Sequence, residues 1–302
     1  MQGTIRLIQI AGISVFLHWS WFLVAAVEIN GRGRYSSFAW NALEYLSLFA
    51  IVTMHEFGHA LACRQVGGRA DRIVLWPLGG VAYVRPPPRP GATLWSIAAG
   101  PLVNVALIPI LGFLFLVFAF RVDSSVPPSD FMQFIGALNL INIGILVFNV
   151  LPIYPLDGGK ILWALLWYVL GRARSLMAAV LVGFIGVAGV AILAIVVQSV
   201  WLGILAVFGA MQCLSGYRQA QALKRFSELP QHREFSCPSC KVSPPCGSFW
   251  ACGSCQVAFD TFETEAVCPQ CNTQFPKTAC PNCGVSSPYA QWVSVERTLG
   301  RE

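Results

Sequence analysis

Long apolar runs separated by short polar segments dominate the first 214 residues of the chain. Two of these runs, Ser96–Phe120 and Phe131–Ile153, each exceed the roughly 20 apolar residues that a helix needs to cross a bilayer. No clear small-x-small cleavage site follows the first run, so we expect a retained helix rather than a signal peptide. The pattern predicts an α-helical polytopic membrane protein with about six transmembrane helices, at residues 11–29, 39–63, 92–120, 131–153, 175–197 and 199–214.

The segment between the second and third predicted helices has a different pattern. Ile73–Val84 is apolar but too short to cross the membrane twice, and Gly79-Gly80 within it is a turn signal. This predicts a short membrane-associated β-hairpin, which is tolerated where protein or water satisfies its backbone. The proline-rich run Arg85–Gly91 follows and predicts an exposed loop.

Composition and charge support a membrane protein. Of the 302 residues, 56% are hydrophobic and 11% are charged, whereas soluble domains carry about 25% charged residues. Among the 20 Lys and Arg, only Arg32, Arg34 and Arg121 fall on one side of the predicted topology, so we place both termini in the cytoplasm. The short six-helix core favours a prokaryotic cell membrane. The net charge of +6 then reflects topology, and we expect no nucleic-acid binding.

The second predicted helix contains the sequence His55-Glu56-Phe57-Gly58-His59. Histidines four residues apart lie one turn apart on the same helical face and can bind one zinc ion. Glu56, between them, can accept a proton from the water that zinc activates. Ionisable residues within an apolar span are costly and usually functional. The motif therefore predicts a catalytic zinc bound by His55 and His59, with Glu56 as the general base.

Asp157 is the strongest candidate for the third protein ligand that a catalytic zinc usually has. It lies in the segment Asn149–Gly159, after the fourth predicted helix and at the same cytoplasmic end as the two histidines. Two prolines and two glycines in this segment predict a helix break that frees polar backbone groups. Other acidic residues of the membrane part lie in predicted loops or toward the external ends of helices.

Taken together, these motifs resemble the site-2 protease family of intramembrane metalloproteases. The HEFGH sequence is followed, in the expected order, by Asn-x-x-Pro-x-x-Pro-Leu-Asp-Gly-Gly. Leu78-Gly-Gly-Val81 resembles the membrane-associated hairpin of the family, and Ala98–Asn104 resembles the start of its third helix. The resemblance covers about residues 1–214. It implies zinc ligation by His55, His59 and Asp157 and general-base catalysis by Glu56.

The resemblance also implies a function: cleavage of membrane proteins within or next to their transmembrane segments, as in regulated intramembrane proteolysis. It suggests that Asn149 and Pro152 help to hold the substrate near the metal. Gly79 and Gly80 could offer strand-like pairing to an unwound substrate or could form a plain turn. The alternative is a non-catalytic membrane scaffold with structural zinc. The intact Glu56 counts against it, because a structural site needs no base.

The C-terminal part differs in composition, since nine of the 11 cysteines fall between Cys237 and Cys283. Eight of them form Cys-x-x-Cys pairs, namely Cys237/Cys240, Cys252/Cys255, Cys268/Cys271 and Cys280/Cys283. Because the cytoplasm disfavours disulfides, four pairs predict two structural zinc sites with four thiolates each. Sequential pairing, first with second and third with fourth, is the favoured arrangement, and a nested arrangement stays open. Cys246 is left over.

These patterns divide the chain into a transmembrane protease-like domain (1–214), a helical connector (215–236) and a cytoplasmic double zinc-ribbon domain (237–302). We expect three zinc ions, one catalytic and two structural. Binding of a protein partner is the favoured role for the zinc-ribbon tail. His18, in the first predicted helix, reads as a packing or hydrogen-bonding residue. Three asparagines are candidates for hydrogen bonds between helices, namely Asn104, Asn139 and Asn142.

Overall fold

The computed structural model describes residues 3–31, 35–76, 79–119 and 128–292. Within it the chain forms two compact units, Met1–Ala220 and Gln221–Glu302. Several residues used in the predictions lie outside the described parts: Arg32, Arg34 and Arg121 of the topology assignment, Leu78 of the hairpin motif, and the end of the predicted tail domain at 293–302.

The first unit is mainly helical, which confirms the predicted fold class. Its helices are α1 (Ser20–Gly31), α2 (Phe38–Gln65), α3 (Pro90–Ala119), α4 (Asp130–Val150), α5 (Asp157–Leu170), α6 (Arg172–Val196) and α7 (Val200–Glu228), of which the part from Gln221 onward belongs to the second unit. Among the described residues, α2, α3, α4, α6 and α7 are long and apolar enough to cross a membrane. The predicted division after residue 214 falls inside α7, which continues without a break to Glu228 and so includes the first part of the predicted connector.

The first predicted transmembrane helix, at residues 11–29, is wrong over its first half. Ile13–His18 is a β-strand, and the helix that follows, α1, begins only at Ser20 and has 12 residues. The physical reason is visible in the burial of the strand, where Ile13, Val15 and Leu17 are buried and the residues between them are less so. That period of two is the signature of a strand with one face on a core, which the length of an apolar run does not reveal.

A four-stranded sheet replaces the simple hairpin of the prediction. Its strands are β1 (Thr4–Ile10), β2 (Ile13–His18), β3 (Arg69–Trp76) and β4 (Gly79–Arg85), in that spatial order. The hairpin is confirmed as β3–β4, and β2 pairs with β3 in parallel. One face of the sheet packs on α2, burying the side chains of Ile13, Val15, Leu17, Ile73 and Leu75 with Ala60 and Cys63.

The helix break before Asp157 is confirmed, but it is shorter than predicted. Helix α4 ends at Val150, and α5 begins at Asp157 itself. Gly158 and Gly159 do not break a helix. They lie in the first turn of α5, where an added Cβ would collide with the backbone of residues 150–154. Their small size lets α5 start directly against the end of α4.

The second unit is a small domain with little regular structure. It contains two hairpins, β5 (Trp250–Ala251) with β6 (Ala258–Phe259) and β7 (Lys277–Ala279) with β8 (Ser286–Pro288), followed by a 3-10 helix, Tyr289–Trp292. Phe235, Phe262 and Trp292 form its apolar core together with Cys237 and Cys280. A core of this size is typical of domains that need a bound metal to fold.

Candidate metal centres and their surroundings

Helix α2 places two histidines and a glutamate on its buried side. His55, Glu56 and His59 are exposed by only 3%, 6% and 7%. The Nε2 atoms of His55 and His59 lie 3.1 Å apart. This is the geometry that the spacing of four residues predicts for one helical face.

Asp157 reaches the same point from the start of α5. Its Oδ2 atom lies 3.0 Å from Nε2 of His55 and 3.0 Å from Nε2 of His59, and the residue is 6% exposed. The Nζ atom of Lys160 lies 3.6 Å from the other carboxylate oxygen, Oδ1. The structure therefore brings together all three residues that the sequence nominated as metal ligands.

The opposite ring nitrogens of both histidines have fixed partners. Nδ1 of His59 donates to the carbonyl of Ser96, 2.9 Å away, since a carbonyl can only accept. Nδ1 of His55 lies 2.6 Å from Oδ1 of Asn104. Nδ2 of Asn104 donates to Oδ1 of Asn142 at 2.8 Å, which leaves Oδ1 of Asn104 to accept from His55. In the neutral form of both imidazoles the proton therefore lies on Nδ1, and the lone pair of Nε2 is directed toward Asp157.

Asn104 thus does more than the sequence predicted. It and Asn142 are fully buried and hydrogen bond between α3 and α4, as expected of helix-to-helix contacts, with Nδ2 of Asn142 donating to the Asn104 carbonyl at 3.0 Å. Its additional role is to orient His55. Partners of this kind fix the tautomer of a metal-binding histidine and raise its basicity.

Glycines let the elements approach closely enough to build this site. A Cβ on Gly58 would lie 2.6 Å from the Ala99 carbonyl oxygen, so its absence lets α2 and α3 touch. A Cβ on Gly100 would overlap the imidazole ring of His59. Gly100 and Asn104 are four residues apart on α3 and face His59 and His55, which are four residues apart on α2. The motif Ala98–Asn104 is therefore the complement of the HEFGH motif.

The hairpin meets the site at Glu56. The backbone N–H of Ala82 in β4 donates to Oε2 of Glu56 at 2.8 Å. A Cβ on Gly80 would overlap the side chain of Glu56, so this position tolerates only glycine in the present arrangement. Gly79 pairs with Trp76 and closes the hairpin. Gly80 was predicted to lie beside a substrate segment. In the structure it packs against the side chain of Glu56.

The two other residues nominated for substrate positioning lie near the loop before Asp157. Asn149 is in the last turn of α4 and donates its Nδ2 to the carbonyl of Ile145 at 3.1 Å. Pro152 is exposed in the loop. The predicted role of both residues toward a substrate remains a prediction.

Tyr154 anchors the same loop, and the sequence analysis missed it. It occupies a notch between Gly183 of α6 and Gly216 of α7. A Cβ added to Gly183 would lie 3.0 Å from the backbone N and the Cβ of Tyr154, and a Cβ added to Gly216 would lie 2.5 Å from its ring. The Sγ of Cys213 donates to the Tyr154 carbonyl at 3.0 Å. Gly183 and Gly216, each within an apolar helix, are the feature of the sequence that could have indicated this notch. They hold the loop three residues before Asp157.

The donor set of the membrane unit fits zinc. Two imidazole nitrogens and one carboxylate oxygen are a common protein ligand set for catalytic zinc. Zinc bonds of about 2.0–2.1 Å in a tetrahedron place donor atoms about 3.3 Å apart. The observed separations of 3.0, 3.0 and 3.1 Å are close to this value.

The cysteines of the second unit form two groups of four. One comprises Cys237, Cys240, Cys280 and Cys283, and the other comprises Cys252, Cys255, Cys268 and Cys271. Neighbouring Sγ atoms are 3.5–3.8 Å apart, close to the roughly 3.8 Å expected for four thiolates around zinc. These separations are far longer than the S–S bond of a disulfide, which is about 2.0 Å.

The favoured sequential pairing of the cysteine pairs is therefore wrong, and the nested pairing is observed. The first Cys-x-x-Cys pair meets the fourth, and the second meets the third. The outer group also packs on the aromatic core formed by Phe235, Phe262 and Trp292, which ties the two ends of the domain together. Cys246 belongs to neither group, and its backbone N–H donates to the Pro230 carbonyl at 2.7 Å.

A further polar cluster in this unit is already satisfied internally. Asp260 accepts hydrogen bonds from the Gly247 amide at 2.6 Å, from Nε2 of His232 at 2.8 Å and from the Phe262 amide at 2.9 Å. Burial alone would raise the pKa of Asp260, but these donors hold the pKa of its carboxyl below the ordinary value. The ionised Asp260 thus fastens the segment after α7 to the cysteine-rich domain.

Comparison with known proteins agrees with the site. The family model Peptidase family M50 matches residues 44–126 and 117–193. A zinc metalloprotease of Methanocaldococcus jannaschii is 33% identical over 183 residues, covering 61% of this chain and 51% of that protein. Stage IV sporulation protein FB of Bacillus subtilis is 32% identical over 181 residues, covering 58% of each. The chain spans about half the length of the relatives it matches.

A solved structure extends the likeness to the fold. The site-2 protease from Methanocaldococcus jannaschii matches with a TM-score of 0.50 and 26% identity, over 71% of this chain and 95% of that one. Fold and site together define a polytopic membrane protein in which the two histidines of an HExxH motif and an aspartate form a candidate metal site. The chain belongs to the site-2 protease family, peptidase family M50.

The bond from Asn104 to His55 predicts a loss of metal affinity on substitution. We expect Asn104→Leu to weaken zinc binding at the His55 site about 10- to 100-fold, because the histidine loses its orienting acceptor. Titration of the purified protein with a zinc chelator, followed by elemental analysis, measures this. Asn139→Leu is the matched control, since Asn139 also joins α4 to α3, through the Leu111 carbonyl, without contacting a histidine. Equal zinc affinity in both variants would contradict the assigned role.

The notch around Tyr154 predicts a packing defect. Gly216→Ala should destabilise the protein by about 1–3 kcal/mol, because the new methyl group collides with the Tyr154 ring. Gly203→Ala on the same helix faces open space and should be neutral or slightly stabilising. Thermal unfolding of both variants in detergent compares them. Equal unfolding temperatures would show that the notch is not tightly packed.

Proposed function

We propose that this protein is an intramembrane zinc metalloendopeptidase that hydrolyses peptide bonds in or near the transmembrane segments of membrane proteins. The observation that carries the proposal is the buried group of His55, His59 and Asp157 with Glu56 intact beside it. Membership of the site-2 protease family supports it, as does the placement of the two histidines and the glutamate on α2, which is long and apolar enough to span a bilayer.

In this proposal His55, His59 and Asp157 hold the catalytic zinc through Nε2, Nε2 and Oδ2. Zinc bound there supplies Lewis-acid activation of water and of the scissile carbonyl. Asn104 and the Ser96 carbonyl keep the protons of both imidazoles on Nδ1, so that Nε2 stays available. Lys160 partly balances the charge of Asp157 from the Oδ1 side.

Glu56 acts as the proton carrier. The Ala82 N–H holds the carboxylate through Oε2. The carboxylate takes the proton from the attacking water and later delivers it to the leaving amine. The same hydrogen bond fixes the distance between the base and β4. Gly80 allows the strand to approach this closely.

The hairpin is the proposed docking edge for the substrate. Strand β4 lies at the edge of the sheet, so an unwound substrate segment can add to it by backbone hydrogen bonds. Gly79 and Gly80 would lie beside that segment. Asn149 would help to hold the substrate once its amide leaves the Ile145 carbonyl, and Pro152 would support the same loop.

The remaining assignments follow the same proposal. The protein lies in a prokaryotic cell membrane with both termini in the cytoplasm, and its partners are the lipid bilayer and membrane-protein substrates. The two groups of four cysteines hold one structural zinc each, which makes three zinc ions per chain. The sequence of the tail domain contains no concentrated run of Lys and Arg, so the tail recruits a protein partner rather than nucleic acid.

Glu56→Gln is the direct test of the catalytic role. The variant should lose cleavage of a panel of single-span membrane proteins by at least about 100-fold, because glutamine cannot take the proton, while keeping its zinc. Cleavage by the purified protein in detergent and elemental analysis provide the two readings. Undiminished cleavage by Glu56→Gln would refute the role of Glu56. Zinc retention with no cleavage by the wild type on any substrate would favour the scaffold function.

Metal stoichiometry tests the nested cysteine sites. Cys237→Ser combined with Cys283→Ser removes two ligands from one group and should cost one zinc ion per chain. Cys237→Ser combined with Cys252→Ser damages both groups and should cost two. Elemental analysis of the purified proteins after dialysis distinguishes these results. The opposite order of losses would restore the sequential pairing.

A further inference from the structure

His18 lies at the end of β2, beside the Trp76–Gly79 pair of the β3–β4 hairpin. The parallel register of β2 with β3 ends at the pair Leu17 and Leu75, so His18 falls next to Trp76. The two rings stack with centroids 3.9 Å apart and planes at 18°. Trp76 is the last residue of β3 and pairs with Gly79, the first residue of β4. The stack therefore holds the closed end of the hairpin.

The ring of His18 is itself held in place. Its Nδ1 accepts from the backbone N–H of Ser20 at 3.3 Å and lies 2.5 Å from the Ser20 hydroxyl. These contacts tie the imidazole to the first turn of α1. In addition, the Trp19 N–H donates to the Gly3 carbonyl at 3.0 Å, which secures the same corner of the sheet. His18 is thus anchored on one side and free to stack on the other.

Only a short path separates this stack from the reacting groups. From the Trp76–Gly79 pair, β4 continues directly to Gly80, which packs against Glu56, and to Ala82, whose N–H binds Oε2 of Glu56. Trp76 is 41% exposed, and the stacked ring of His18 contributes to covering the remainder. Movement of the tip would shift the edge of β4 relative to the general base.

We propose that His18 is a positioning residue, which braces the hairpin tip through Trp76 and so fixes the substrate-binding edge of β4 beside Glu56. The predicted effect of His18 on cleavage rests on the proposed function. The brace itself is a property of the fold and can be measured without any substrate. A stacked aromatic pair should slow the opening of the hairpin by about threefold to tenfold.

Hydrogen exchange of the full-length protein in detergent tests the brace. His18→Ala should accelerate amide exchange in peptides covering β3 and β4 by about threefold to tenfold, with peptides from α3 unchanged. His18→Phe keeps a ring on Trp76 and should exchange like the wild type. Ser20→Ala keeps the stack and the backbone N–H and should have a small effect. Trp201→Ala, another exposed tryptophan, is the matched control for Trp76→Ala.

A double-mutant cycle identifies the partner. If His18 acts through Trp76, the double variant His18→Ala/Trp76→Ala should exchange no faster than the faster single variant. With a substrate from the cleavage panel, His18→Ala should raise KM by a similar factor and change kcat by less than about twofold, and His18→Phe should restore KM.

Unchanged exchange in His18→Ala, or additive effects in the double variant, would overturn the proposal. So would faster exchange that spreads equally to α3, because that pattern indicates general unfolding. Absence of cleavage by the wild type, with the predicted exchange pattern intact, would count against proteolysis and leave the brace standing.

Discussion

The structure depends on satisfying a cluster of polar groups inside an apolar helix bundle. An unpaired polar group in such surroundings costs several kcal/mol, and an unpaired charge costs more. Each group at the His55 site therefore has a defined partner. Nδ1 of each histidine bonds to α3, and Glu56 bonds to β4. The contacts that make burial tolerable are the same contacts that orient the site for chemistry.

Close approach of the surrounding elements is the second requirement, and it explains the glycines. Short hydrogen bonds from α2 to α3 and to β4 require backbones nearly in contact. Gly58, Gly80 and Gly100 provide that contact because each lacks a side chain that would strike its neighbour. Gly158 does the same where α5 begins against the end of α4. The HEFGH motif on α2 and the Ala98–Asn104 motif on α3 are therefore the two sides of one helix-to-helix interface.

Much of this could be predicted from the sequence because the strongest signals are local. The spacing of His55 and His59 fixes their common face, and long apolar runs fix most of the spans. Asp157 was identifiable because it follows a helix break at the same end of the predicted spans as His55 and His59. The strand at Ile13–His18 is hard to recognise in the sequence because its apolar residues run on into those of α1, and the alternation in burial appears only in the folded chain. The partnership of Asn104 with His55 depends on tertiary contact, which no local pattern encodes.

The nested cysteine groups illustrate the same limit in the other unit. Each Cys-x-x-Cys turn can be recognised alone, but which turns meet is decided by the chain between them. The two kinds of candidate metal site also differ in the number of protein ligands that they offer. Four thiolates complete a tetrahedral zinc and suit a structural site, whereas two histidines and one aspartate leave one position of a tetrahedral ion without a protein ligand. In the proposed function, catalysis is therefore assigned to the group of His55, His59 and Asp157, which has Glu56 beside it. Zinc at the two cysteine groups would stabilise a domain with a small aromatic core.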